Sequence, residues 1–144
     1  MKIAGQPVVA LVGDTLFAHG GVLMQHVRFG LPKLNRLAAA WIRGARKTLP
    51  PIVNGQDSPV WTRRYGDAVP GAAVCQELRA VLDASRAKRL VVGHTVQSRG
   101  ITSGCDGALW RIDVGLSRYY GPGPTEILQV DDGVAKVLRK DEQD

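Results

Sequence analysis

Short apolar runs of β character alternate along this chain with longer stretches whose apolar residues recur every three or four positions. Val8-Val9-Ala10-Leu11-Val12 meets Gly13-Asp14 and resumes as Thr15-Leu16-Phe17-Ala18-His19. Two β-rich segments joined by a two-residue Gly-Asp link predict a hairpin over 8–19. From Leu31 the period lengthens: Leu31, Leu34, Ala38, Trp41, Ile42 and Ala45 share one helical face. Pro32 suits the first turn of that helix, and Thr48-Leu49-Pro50-Pro51 stops it. Residues 52–70 carry too much proline and glycine for a regular element and read as a loop. A second amphipathic helix is expected from about 72 to 87, with Val74, Leu78, Val81 and Leu82 on one face. It leads at once into Arg89-Leu90-Val91-Val92-Gly93-His94-Thr95, apolar enough for a strand buried on both faces. After a loop with Gly100 and Gly104, Cys105-Asp106-Gly107 turns the chain into a strand over 108–114. A last hairpin pairs 125–130 with 134–139 across Asp131-Asp132-Gly133. The charged end, 141–144, reads as a frayed tail.

This order predicts an α+β fold in a single domain over 1–144, either a mixed sheet or a two-sheet sandwich flanked by helices. At 144 residues the chain can bury one sizeable core, and 44% hydrophobic with 22% charged residues is the balance of a soluble globular protein. No apolar run approaches the ~20 residues of a membrane span. The opening Met1-Lys2-Ile3-Ala4-Gly5-Gln6-Pro7 lacks the apolar core of a secretory signal. The expectation is a cytoplasmic protein with no membrane partner. Nineteen Lys and Arg against thirteen Asp and Glu give a charge of +6. The cations fall in scattered pairs such as Arg46-Lys47 and Lys88-Arg89 rather than a stripe with interleaved aromatics. That argues against nucleic acid and for a solvated surface with a few anion contacts. Cys75 and Cys105 are too few for a disulfide framework and lack metal-ligand spacing. In a cytosolic chain they read as reduced, mostly buried thiols, with a redox pair as the rarer alternative.

Two histidines hold the sharpest chemistry. His19 ends the first hairpin as His19-Gly20-Gly21, and His94 ends the buried strand as Gly93-His94-Thr95. Such a strand delivers its last side chain to the carboxyl edge of the sheet, where open α/β folds collect ligands. The adjoining glycines let the backbone turn and a ligand come close. One histidine at a strand end is ordinarily a satisfied polar group. Two in matched settings look like halves of one metal site, because neutral imidazole ligates zinc, manganese and iron. Two alone fall short of a hydrolytic centre, which needs at least three protein ligands and an open position. His26, near a helix start, takes a structural role. Arg63 and Arg64 are candidate forks for phosphate, set against the commoner fate of surface cations; Trp61 before them is expected to be a packing anchor. Asp113 follows Ile112 inside a predicted strand, as a hydrogen-bonded carboxylate that either orients a histidine or ties down a loop.

Four segments in order, His19-Gly20-Gly21, Pro59-Val60-Trp61-Thr62-Arg63-Arg64-Tyr65, Val92-Gly93-His94-Thr95 and Trp110-Arg111-Ile112-Asp113-Val114-Gly115, resemble calcineurin-type metallophosphatases of the phosphoprotein phosphatase group, above all the Shewanella-like branch. The likeness runs from about 8 to 130. It implies a sandwich of two sheets with helices outside, hydrolysing phosphate monoesters at a centre of two divalent metals (Mn, Fe or Zn). It implies His19 and His94 as ligands of one of those metals and Arg63 as a contact of the substrate phosphate. Arg64 is marked less clearly for the same contact, and Asp113 supports the loop around the site. The family's earlier motifs GDxHG, GDxxDRG and GNHE have no counterpart here: Gly13-Asp14 and Gly66-Asp67 lack the companion residues, and no Asn-His pair occurs. In family terms this is the carboxyl-terminal part of one metallophosphoesterase domain, without its N-terminal strands. It holds at most one partial metal site, no catalytic residue of its own, and little or no activity alone. The implied partners are a phosphorylated protein or small phosphoester, and an N-terminal half-domain or a second copy of the chain. Strand edges and apolar faces left bare make such a protein association-prone. The rival reading is a non-catalytic remnant that binds anions or a protein partner.

Overall fold

The computed structural model describes residues 5–67 and 69–139, so the expected tail at 141–144 lies outside the described residues. The first hairpin forms as predicted. β1 (Val9–Val12) and β2 (Thr15–Ala18) pair antiparallel with Val12 opposite Thr15, and Gly13 takes φ 58° in the turn. β3 (Arg89–Val92) then lies parallel to β2, with Ala18 opposite Val92. β4 (Thr102–Gly104) and β5 (Leu109–Arg111) complete a five-stranded mixed sheet in the order β1-β2-β3-β5-β4. The last hairpin, β6 (Glu126–Asp131) and β7 (Val134–Arg139), is a separate two-stranded sheet.

Among the described residues four α-helices accompany the strands: α1 (Met24–Phe29), α2 (Leu31–Ile42), α3 (Pro51–Asn54) and α4 (Ala72–Ser85). α2 begins where Pro32 places it but ends at Ile42, before the expected proline stop, and Gly44 just beyond adopts φ 74°. Ala45 therefore lies outside the helix. The periodicity does not predict α1, α3 or β4; at six, four and three residues they are too short to display a period. β5 stops at Arg111, so Ile112 and Asp113 lie past the strand rather than inside it.

The sheet's main core is on one face. Leu16, Leu90 and Leu109 stand opposite one another across three strands, each without solvent exposure. Leu78, Val81 and Leu82 of α4, together with Val22 and Tyr65, cover them. Burying each leucine contributes about 1.5–3 kcal/mol, which makes this row the mechanical centre of the fold. A smaller core joins Leu34 and Ala38 of α2 to Val53 of α3. Asn35 of α2 reaches the outer edge of β1: its Oδ1 accepts from Val8 N–H and Val9 N–H at 2.9 and 3.0 Å, and its Nδ2 donates to the Val9 carbonyl at 2.8 Å.

The opposite face carries Phe17, Val91 and Trp110 in register. Phe17 and Val91, with Ala10, Val60 and Ile112, line an open trough of ≈ 460 Å³ that runs up to His19. The β6–β7 hairpin is tied to the main sheet at both ends. Glu126 accepts from Ile101 N–H at 2.6 Å and from Arg139 Nε at 2.8 Å, while Arg89 Nη2 donates to the Gly133 carbonyl. The α and β elements are thus mixed as expected, but the second sheet among the described residues is only this hairpin.

Cys75 of α4 and Cys105 in the β4–β5 turn are joined in a disulfide, with Cα atoms 5.2 Å apart. This corrects the expectation of two reduced thiols. The fold brings together a helix and a turn that are 30 residues apart in the chain, and their spacing gives no sign of it. Such bonds persist in oxidising compartments, whereas the lack of an apolar leader and of a membrane span led to the expectation of a cytoplasmic protein. Among the described residues no helix is long and apolar enough to cross a membrane.

Candidate metal and phosphate site

Parallel pairing of β2 and β3 brings both strand ends to one edge of the sheet. The ladder runs one residue further, Gly93 N–H donating to the His19 carbonyl at 2.8 Å. The chain then folds back so tightly that Thr95 N–H bonds the Gly93 carbonyl at 2.7 Å, with His94 between them at φ 64°. Left-handed backbone costs a non-glycine residue about 1–2 kcal/mol, and such strain collects at functional sites. Its effect here is to swing the His94 ring toward His19. His94 Nδ1 and His19 Nε2 approach to 3.1 Å, with ring centroids 4.9 Å apart.

Two nitrogens each ~2.0–2.1 Å from one ion must lie roughly 2.9–3.4 Å apart in octahedral to tetrahedral arrangements. The observed separation fits. The state of His94 fits as well: burial first, then the nearby Arg63 and His19, hold its pKa below the ordinary imidazole value, against smaller opposite pulls from a hydrogen bond to the Trp61 backbone and from Asp113. Neutral imidazole is the form that ligates. Among the described residues, however, no group of three or more His, Cys, Asp or Glu side chains could hold a metal ion.

The loop after α3 supplies the cation. Gly20 N–H and Gly21 N–H both donate to the Pro59 carbonyl, at 2.6 and 3.2 Å, which lays the loop against the end of β2. A Cβ at position 20 would stand 2.6 Å from the Thr62 carbonyl oxygen, so only glycine permits this contact. Arg63 then extends across His94, its Nη1 donating to Thr95 Oγ1 at 3.1 Å and to the His94 carbonyl at 3.3 Å. Gly66 gives the Thr95 hydroxyl its room, since a Cβ there would meet Oγ1 at 2.6 Å. Beneath the loop the fully buried Arg111 donates to the Asp67 carbonyl, and Gln97 Nε2 donates to the Gly66 carbonyl at 3.1 Å.

His19, His94 and Arg63 therefore share one place, and Arg64 does not. Its Nε bonds Glu77 of α4 at 2.8 Å, beside Leu23, Met24 and Asp57. Asp113 lies near Gly93 but spends Oδ1 on Gly115 N–H at 3.1 Å, the loop-tying role. His26 is buried in α1, its Nδ1 accepting from Leu23 N–H at 2.9 Å. Two residues at the site gained no part in the chemistry from the sequence. Thr95 stood in the quoted motif but carried no assignment. Trp61 is 51% exposed rather than a packing anchor, and its ring meets His94 edge-on at 5.6 Å.

The fold is similar to part of two solved phosphatase structures. It superposes on a cold-active protein tyrosine phosphatase with a TM-score of 0.68 and 21% identity, covering 94% of this chain and 43% of that one. The cold-active protein-tyrosine phosphatase of a psychrophilic Shewanella gives 0.67 and 21%, covering 95% and 44%. In sequence the chain is 36% identical over 131 residues to Shewanella-like protein phosphatase 2 of Arabidopsis thaliana, covering 88% of this chain and 34% of that protein. It is 30% identical over 142 residues to Shewanella-like protein phosphatase 1 of Plasmodium berghei (strain Anka), covering 92% and 39%. No family model matches the chain. By sequence it belongs to the Shewanella-like protein phosphatases, and it spans between 34% and 39% of the length of these two relatives.

Proposed function

We propose that the chain is the part of a calcineurin-like, metal-dependent phosphoesterase that carries two ligands of one metal and the cation facing the phosphate. The observation that carries this reading is the 3.1 Å convergence of His19 and His94 beneath a guanidinium bonded to the His94 turn. Divalent Mn, Fe or Zn, when bound, polarises a phosphate monoester and lowers the pKa of the attacking water. The chain's own residues hold and orient. The imidazoles offer their neutral nitrogens, and Arg63 keeps N–H donors of its fork for phosphoryl oxygens. Thr95 and the His94 carbonyl fix the direction of that fork. Arg64 reaches a phosphate only by leaving Glu77, which assigns it to holding the loop on α4.

Two nitrogens do not complete a hydrolytic centre. The remaining ligands and the acid for the leaving group come, on this reading, from polypeptide outside the 144 residues. An N-terminal half-domain or a second copy would seat over the apolar trough beside His19. The substrate is a phosphorylated protein or a small phosphoester. The same shortfall favours a second reading, a non-catalytic remnant in which Arg63 binds anions without metal.

The test is bound metal by elemental analysis together with hydrolysis of p-nitrophenyl phosphate. The expected result is weak binding of one Mn, Zn or Fe per chain, lost in His19→Ala and in His94→Ala, with at most trace turnover. Tight binding of two metals with robust turnover would contradict the incomplete centre. Metal binding that survives both substitutions would end the metal reading, and Arg63-dependent phosphate binding in a chelator would then support the remnant.

A further inference from the structure

The chain's charge of +6 is not spread along it. Between Asp14 and Asp57 stand six cations, Arg28, Lys33, Arg36, Arg43, Arg46 and Lys47, and no carboxylate; outside that segment thirteen cations meet thirteen acids. The whole surplus therefore belongs to α1, α2 and the turn beyond them. All six residues are exposed. Lys33, Arg36 and Arg43 follow one another at three and seven residues, which sets them on one stripe of α2, turned away from the buried Leu34 and Ala38. Among the described residues no ion pair engages Arg28, Lys33, Arg36, Arg46 or Lys47. Helix stability does not explain the arrangement. A cation in the first turn, as Lys33 is, stands against the helix dipole, and no acidic residue of that turn offsets it.

Trp41 stands beside this stripe and is 47% exposed. Among the described residues its indole N–H has no hydrogen-bond partner, whereas those of Trp61 and Trp110 donate to Asn54 and to the Gly107 carbonyl. A half-exposed tryptophan beside clustered cations suits a membrane surface, with the ring at headgroup level and the cations over anionic lipid. A nucleic-acid strand requires a series of ring platforms instead. Phe29 of α1 offers none, because the Lys33 ammonium covers it at 4.5 Å from the ring centroid. We propose that α2, with Arg28 before it and Arg46-Lys47 after it, docks the protein peripherally on an anionic phospholipid surface, Trp41 entering the headgroup layer. The docking face is independent of the metal and phosphate site. The expectation of no membrane partner rested on the lack of a span, and a peripheral contact needs none. Each Lys or Arg near such a surface strengthens binding about fivefold, an effect that salt screens.

The experiment sediments the full chain with vesicles of phosphatidylcholine, alone or mixed with phosphatidylserine, and follows tryptophan emission. The chain is expected to bind only the mixed vesicles, more weakly as salt rises, with a blue shift that Trp41→Ala abolishes. Lys33→Gln combined with Arg36→Gln is expected to weaken binding about 25-fold, fivefold for each cation. Arg118→Gln, which follows β5 across the sheet from β1, is expected to change it little. Equal binding to both vesicles, binding to neither, full binding by the double variant, or a blue shift that persists in Trp41→Ala overturns the proposal. So does binding of a thymidine oligonucleotide in place of the anionic vesicles, which would assign the face to nucleic acid.

Discussion

Leu16, Leu90 and Leu109 stand abreast on one face of the sheet; Phe17, Val91 and Trp110, the next residues along the same strands, stand abreast on the other. The first row is wholly covered by α4 and its neighbours, whereas Phe17 and Val91 of the second line an open trough ending at His19. Both rows are apolar. What separates them is what lies above: helices cover one face, and an open trough lies along the other.

The sharpest way to break this contrast is to truncate one residue on each side. Leu90→Ala is expected to cost about 2–5 kcal/mol in denaturant unfolding, as for a fully buried leucine. Phe17→Ala is expected to cost less than half as much and to reduce self-association in light scattering. Equal losses would mean that the trough face is as structural as the other. Next in size is the disulfide, which staples α4 to the β4–β5 turn. Closing a loop of this length contributes roughly 2–4 kcal/mol, so reduction should lower the melting temperature distinctly, and Cys75→Ser should remove that sensitivity to reductant.

The smallest effect is set by pH. His26 in α1 is buried, and that burial lowers its pKa below the model-compound value of 6.5. The unfolded chain therefore takes up a proton that the folded chain resists. Stability is full above about pH 6.5 and falls as the pH drops below it, by at most about 1.4 kcal/mol per unit for one proton. Chemical denaturation between pH 7.5 and 5 should show this decline, and His26→Gln should flatten it. A decline of the same size in the variant would move the effect to His94, whose pKa is lowered in the same direction.

What the sequence disclosed follows from how local each signal is. The turn at Gly13-Asp14 and the helix entry at Pro32 need only neighbouring residues, and both formed where the pattern places them. The His19 and His94 pairing was readable because each strand end repeats the same local chemistry. Their actual meeting depends on β2 and β3 lying parallel, which a pattern of apolar residues does not specify. Arg63 and Arg64 are neighbours with similar prospects until α4 presents Glu77 to only one of them. The partnership of Cys75 with Cys105 and the exposure of Trp61 are likewise products of tertiary placement.

The amide of Asn35 has a consequence for growth. By occupying the outward N–H and C=O of Val9, it gives the sheet a terminus where another strand would otherwise dock. A further strand added at that corner would first have to displace this amide. A chain stripped of that amide acquires an adhesive border, and fibrils rather than discrete assemblies become its hazard.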